Sequence, residues 1–175
     1  MRYRSSYQAT HDIDWFCICH GHPVHVASNG GYVPEQIDSS HNYRMQRAVY
    51  EHLSWYHYVP VTVNIDLLRR HIPEIFVERE DEEDLREILH EENVYIPREL
   101  LEQPVAVQLF CKSFVEIAKL GFCSFYTIND SEDEYKGPNR LICIAYPNNP
   151  TAFCREIEFE SLPSLDIAKI GLLIY

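Results

Sequence analysis

This chain predicts an α+β fold. A small antiparallel or mixed sheet is built from N- and C-terminal hairpins, and helices from the middle of the chain pack on one face of it. Three observations carry the expectation. "DWFCIC" and "VHVA" are apolar, β-prone runs separated by the turn residues Gly21 and Pro23. "FCSFYTI" and "RLICIAYP" form a second such pair around the polar "NDSEDEYKGPN". The segments between the pairs carry helical spacing, and strands grouped apart from helices argue against an alternating βαβ order. The 175 residues are expected to form one domain, 1–175, with residues 1–10 as a flexible N-terminal arm.

In chain order, Trp15 to Cys19 and Val24 to Ala27 are the strands of the first hairpin, joined through "HGHP". "SNGG" ends the second strand, because Asn29, Gly30 and Gly31 tolerate positive φ. Asp38, Ser39 and Ser40 offer capping oxygens for a helix from about His41 to about Trp55, with Val49, Tyr50, Leu53 and Tyr56 at helical spacing. "VTVNID" reads as a short strand, with Asp66 capping the "LLRRHI" turn. "EREDEEDLREILHEEN" is a helix whose opening acids suit the positive end of its dipole, and Pro97 opens the helical turn "RELLEQ". The strongest helical pattern is "VAVQLFCKSFVEIAKLGF". Val107, Phe110, Cys111, Phe114, Ile117 and Ala118 share a face, and Gly121 is the expected C-terminal cap. "EIEFE" alternates like a further strand, and "IGLLIY" is apolar to the last residue.

A net charge of −12, from 15 Lys+Arg against 27 Asp+Glu, is of the wrong sign for a chain that displaces counterions from phosphates. No direct nucleic-acid binding is expected, whereas a basic protein partner suits the charge. No apolar run reaches the roughly 20 residues of a spanning helix, so no membrane contact is expected. "MRYRSSYQATHDID" lacks the apolar core of a secretory signal. A cytoplasmic, reducing location is the expectation, with the six cysteines as free, buried thiols. The 12 tyrosines point to contact surface, since each joins an apolar ring to a polar tip.

Chemistry, if the chain has any, is expected in "HDIDWFCICHGHPVHVASNGG", residues 11–31, where four histidines and two cysteines cluster. Cys17, Cys19, His20, His22 and His25 include zinc-ligand types, but Cys-x-Cys and His-x-His are not the usual structural spacing and no second ligand pair follows. A Cys17 or Cys19 thiolate paired with a histidine would need an electropositive, exposed setting, and "WFCIC" is apolar. Ser28 is not on a nucleophile elbow. "SNGG" lacks phosphate-loop spacing. His11, Asp12 and Asp14 could hold a cation or act as acid and base, but Asp ahead of a strand more often caps a turn. The segment is therefore read as architecture, with the cysteines inward and the histidines solvated. No residue is assigned as catalytic, cofactor-binding or metal-ligating, and no cofactor is expected. A small metal-dependent or thiol enzyme centred on residues 11–31 is the alternative.

Two further features bear on partners. The acidic run at 78–92 is read as the wet face of a helix, with an acidic inhibitor of a nucleic-acid-binding protein as the sharper alternative. The end "DIAKIGLLIY" is either the last strand of the sheet or an edge strand added to another subunit. "HDIDWF", "PVHVASNGG" and "SFVEIAKLGFCSFYTIN" resemble small proteins of crAss-like tailed phages and related mobile elements. The resemblance implies a phage-encoded role in the host cytoplasm and then the virion, in neck, connector or capsid assembly. Taken together, these features predict a non-enzymatic structural or interaction protein that works through protein–protein contact or self-association.

Overall fold

The alternating apolar run at the start of the chain forms strand β1 (Asp14–Cys19), which turns back through two residues into β2 (His22–Ala27). Cys19 stands opposite His22, and Asp14 opposite Ala27. The computed structural model describes residues 3–8, 10–19, 22–29, 33–34, 37, 39–52, 60–77, 80–91, 96–128, 140–148 and 157–158. Four expected features lie outside them: the Gly30-Gly31 part of "SNGG", the end of the first long helix, the "NDSEDEYKGPN" loop, and the apolar C-terminus. The hairpin's turn is tighter than "HGHP" suggested, because Pro23 lies inside β2. The Phe16 N–H points away from β2, so by alternation Ile18 and Pro23 form a pair without hydrogen bonds between them. The imide nitrogen therefore leaves the β1 ladder intact.

The elements that follow are α2 (Ser39–His52), β3 (Val61–Val63), α3 (Ile65–His71), a 3-10 turn (Pro73–Phe76), α4 (Glu82–Glu91), α5 (Arg98–Leu101) and α6 (Val105–Ala118). β4 (Cys123–Ile128), β5 (Arg140–Pro147) and the two-residue β6 (Ile157–Glu158) close the order. The strands lie β1-β2-β4-β5-β3, with β6 also on β5. All neighbours are antiparallel except β2 and β4, which run parallel. The two hairpins are thus joined edge to edge into one mixed sheet, and everything between Ser28 and Phe122 serves as the crossover that parallel pairing needs.

The helices do not share one face, as the sequence had suggested. Successive side chains of a strand point to opposite faces. Leu141 and Cys143 join Trp15, Val24, Val26 and Phe125 in a buried cluster that also takes Met45 and Val49 of α2. Ile142 and Ile144 point the other way, into a second cluster with Val107, Cys111, Phe114 and Ala118 of α6 and Leu68 of α3. α2 also seals the sheet's open edge. Asn42 accepts from the Phe16 N–H at 3.2 Å, and Asn42 and Gln46 both donate to the Asp14 carbonyl, at 2.8 and 2.6 Å. Those are groups that an uncovered edge strand would offer to another chain.

Three local expectations change. Asp66 is not the cap of α3. Asn64 holds that position without a side-chain cap bond, and its Nδ2 donates instead to the Cys143 carbonyl at 2.8 Å, tying α3 to β5. Pro97 stands at the N-cap of α5 rather than inside its first turn. The described part of the first ten residues is docked rather than a free arm. α1 (Ser5–Gln8) holds the loop through Gln8, whose Oε1 accepts from the Val33 N–H at 2.9 Å, and the Tyr3 hydroxyl accepts from Asn42 Nδ2 at 2.9 Å. Gly121 does end α6, at φ +96° with open space around the missing Cβ. Gly121→Ala should therefore lower stability through backbone strain alone, by about 1–2 kcal/mol, read as a shift in urea midpoint. An unchanged midpoint would mean that the turn tolerates a side chain.

Candidate functional site

The parallel join of β2 to β4 builds a polar array on the α6 side of the sheet. His25 stands opposite Phe16 on β1 and Ser124 on β4, and Asp14 lies two residues before Phe16, on the same face. The Ser124 hydroxyl is 2.6 Å from His25 Nδ1, and His25 Nε2 is 3.1 Å from Asp14 Oδ1. Tyr50 of α2 donates its hydroxyl to Asp14 Oδ2. Phe16 and Phe114 cover the imidazole, with ring centroids 5.1 and 6.0 Å from it. A carboxylate only accepts, so Nε2 carries a proton toward Asp14, and in the neutral ring Nδ1 accepts a hydrogen bond from the Ser124 hydroxyl.

Burial pushes the Asp14 carboxyl up, but the hydrogen bond and charge of His25 and the Tyr50 hydroxyl outweigh it, and the net shift is below the ordinary value of 3.8. Burial, followed by the charge and hydrogen bond of Asp14, raises the Tyr50 phenol well above its ordinary 10.0. It stays protonated and donating. The folded-state pKa of Asp14 is depressed, so its contribution is complete above 3.8 and is lost as the pH falls through the lower folded value. Asp14→Asn should therefore flatten the loss of stability on acidification below about pH 4, measured by urea unfolding across that range. An acid limb as steep as that of the parent chain would exclude this carboxyl as its source.

Serine, histidine and carboxylate in a hydrogen-bonded row are the parts of a nucleophile–base array. Here the serine is 0% and the histidine 1% exposed, and the serine bonds Nδ1 while the acid bonds Nε2. A hydroxyl sealed under α6 meets no substrate. The row works as a clasp that satisfies two buried polar groups, Ser124 and His25, with a half-buried carboxylate, Asp14, and ties β1, β2, β4 and α2 together.

The other expected residues disperse. Cys17 projects to the face opposite His25, among Trp15 and Val24, so strand alternation separates that thiol from the imidazole. Cys17, Cys111, Cys123 and Cys143 are buried, and burial pushes the Cys111 thiol up to about 12. His20 and the Cys19 side chain lie outside the described residues. His22 is half-buried at the start of β2. His11 is exposed and stacks on Tyr7, with centroids 4.0 Å apart. Asp12 accepts from the Asn29 N–H and the Ser28 hydroxyl, at 2.6 and 3.2 Å, and Ser28 accepts from the Ile13 N–H at 2.7 Å. Asp12 therefore closes the hairpin's end and does not pair with Asp14. Among the described residues, no three His, Cys, Asp or Glu converge as metal ligands. No helix there is long and apolar enough to cross a membrane. The described part of the acidic run, α4, buries Leu89 and pairs Glu82 with Arg86 at 2.9 Å.

What sequence reasoning missed is a surface. α1, the Asp12 loop and the start of α2 enclose an open cleft of about 430 Å³, lined by Tyr3, Arg4, Tyr7, Asp12, Tyr43 and Gln46, among others. Tyr43 is 65% exposed. Tyr50, one face-repeat further along α2, is also exposed and borders the clasp. The available signal is the tyrosine count together with the two tyrosines of "MRYRSSY". Compared with known family models, curated proteins and solved structures, the chain matches none. Fold and site define an α+β protein with a mixed sheet, a polar clasp whose serine and histidine are sealed, and a tyrosine-lined cleft on its surface.

Proposed function

We propose that the chain is a non-enzymatic interaction protein acting by protein–protein contact, with the tyrosine-lined cleft and the adjoining face of α2 as its contact surface. The observation that carries this reading is the contrast between the two polar features. The serine and histidine of the catalytic-looking row are closed to solvent, while Tyr7, Tyr43 and Tyr50 expose large ring area. Tyrosine gives wide, rigid, amphipathic contact for the loss of two torsions, which is why contact surfaces favour it. A chain of net charge −12 favours a basic partner. The resemblance to proteins of crAss-like phages supports placing the contact in assembly of a virion neck, connector or capsid, within the host cytoplasm.

The test is site-specific photo-crosslinking in the cells that make the protein, with the reactive residue at position 43 or, as control, at the exposed Ser113 on α6. A discrete protein adduct from position 43, absent from position 113 and lost when Tyr7→Ala is added, is the expected result. A strict monomer by light scattering that forms no adduct at position 43 overturns the proposal.

A further inference from the structure

We infer that the cleft is a guanidinium socket, which recognises an arginine side chain presented by a basic protein partner. The inference rests on the contact reading above and adds the chemistry of what the contact grips. Both hydrogen bonds to Asp12 fall on Oδ1, so Oδ2 has no partner among the described residues, and Asp12 is part of the cleft's lining. Gln46 spends its Nε2 on the Asp14 carbonyl, which leaves the amide oxygen as a second acceptor on the lining. A carboxylate oxygen and an amide oxygen on one lining suit the several in-plane N–H donors of guanidinium better than the compact charge of an ammonium.

The rings supply the other half. Tyr3 and Tyr7 lie nearly parallel, 14° apart with centroids separated by 6.2 Å, and His11 already stacks on Tyr7 at 11°. The wall therefore accepts flat nitrogenous groups, and Tyr43 offers the least covered ring for the next one. Aromatic faces attract cations, and guanidinium adds stacking. The volume of about 430 Å³ suits one long side chain with its backbone rather than a folded domain. Among the described residues, Arg4 is the one opposing charge on the lining. It makes no ion pair among the described residues, so it repels an incoming cation and sets a direction for the test.

The experiment is an NMR titration of the full chain with three peptides, Gly-Gly-X-Gly-Gly, in which X is arginine, lysine or citrulline. Expected is binding of the arginine peptide, weaker by about fivefold with lysine and by about tenfold or more with uncharged citrulline. Asp12→Asn keeps the Oδ1 acceptor that closes the hairpin, and should weaken the arginine peptide by about tenfold. Tyr43→Ala, at an exposed position, should weaken it by about threefold or more, whereas Arg4→Ala should tighten it. Citrulline binding as well as arginine, no binding of any peptide, or loss of binding in Arg4→Ala would each overturn the assignment, the last by showing an anion site. A position-43 adduct without arginine preference refutes only the socket. The absence of that adduct refutes the contact reading itself.

Discussion

Phe125→Ala is expected to lower the unfolding free energy by about 3–5 kcal/mol, the range for removing a fully buried aromatic ring. Phe125 is on β4, paired with Val26 of β2 on one side and Cys143 of β5 on the other, and it is completely buried among Trp15, Val24, Val26 and Leu141. Its ring fills the face where the two hairpins meet. The cavity left behind is walled by strands whose hydrogen bonds fix their spacing, so it cannot collapse far. Urea unfolding followed by circular dichroism measures the effect. Ile88→Ala on the exposed side of α4 serves as control and should change stability by no more than about 0.5 kcal/mol. A loss below about 1.5 kcal/mol for Phe125→Ala would mean that this join is not the centre of the core.

His25→Leu should cost about 2–4 kcal/mol although the two side chains are close in size, because a buried hydroxyl and a largely enclosed carboxylate oxygen both lose their partner. Packing is nearly conserved, so the loss reports the clasp. The cycle with Ser124→Ala separates the contributions. Once His25 is gone, removing the stranded hydroxyl should cost less than it does in the parent chain, and the two effects should fail to add. Strict additivity, or a His25→Leu variant as stable as the parent, would show that the row of polar groups holds nothing together. The same variant is informative about function. If the clasp is architecture, position-43 crosslinking survives in His25→Leu wherever the chain remains folded.

The boundary between what was legible and what was not runs along sequence separation. The run "DWFCIC", the reversal after it and "FCSFYTI" returning as "RLICIAYP" declare themselves through period-two apolar spacing and local turn chemistry, although the turn's length does not. α6 declares itself through its apolar stripe and Gly121. These signals depend on residues within a few positions of one another, and any fold that keeps the chain's local geometry keeps them. His25 was visible as a histidine between two valines, Val24 and Val26, but its inward role was not, because its partner Ser124 is 99 positions away. The side chains flanking Asp12 and Asp14 gave no sign that the first would close a hairpin and the second would hold an imidazole.

By itself, then, the sequence determined the two hairpins, the helical segments between them, the acidic charge and the wealth of tyrosine. Tertiary structure alone decided that the hairpins join in parallel, that β3 caps the far side of β5, and that the helices divide between the two faces of the sheet. The same packing decided which polar groups are sealed and which tyrosines are left in water. The reason is physical. Periodicity records which face of an element is apolar, whereas the choice of what that face meets is made by the summed burial and hydrogen bonding of elements distant in the chain.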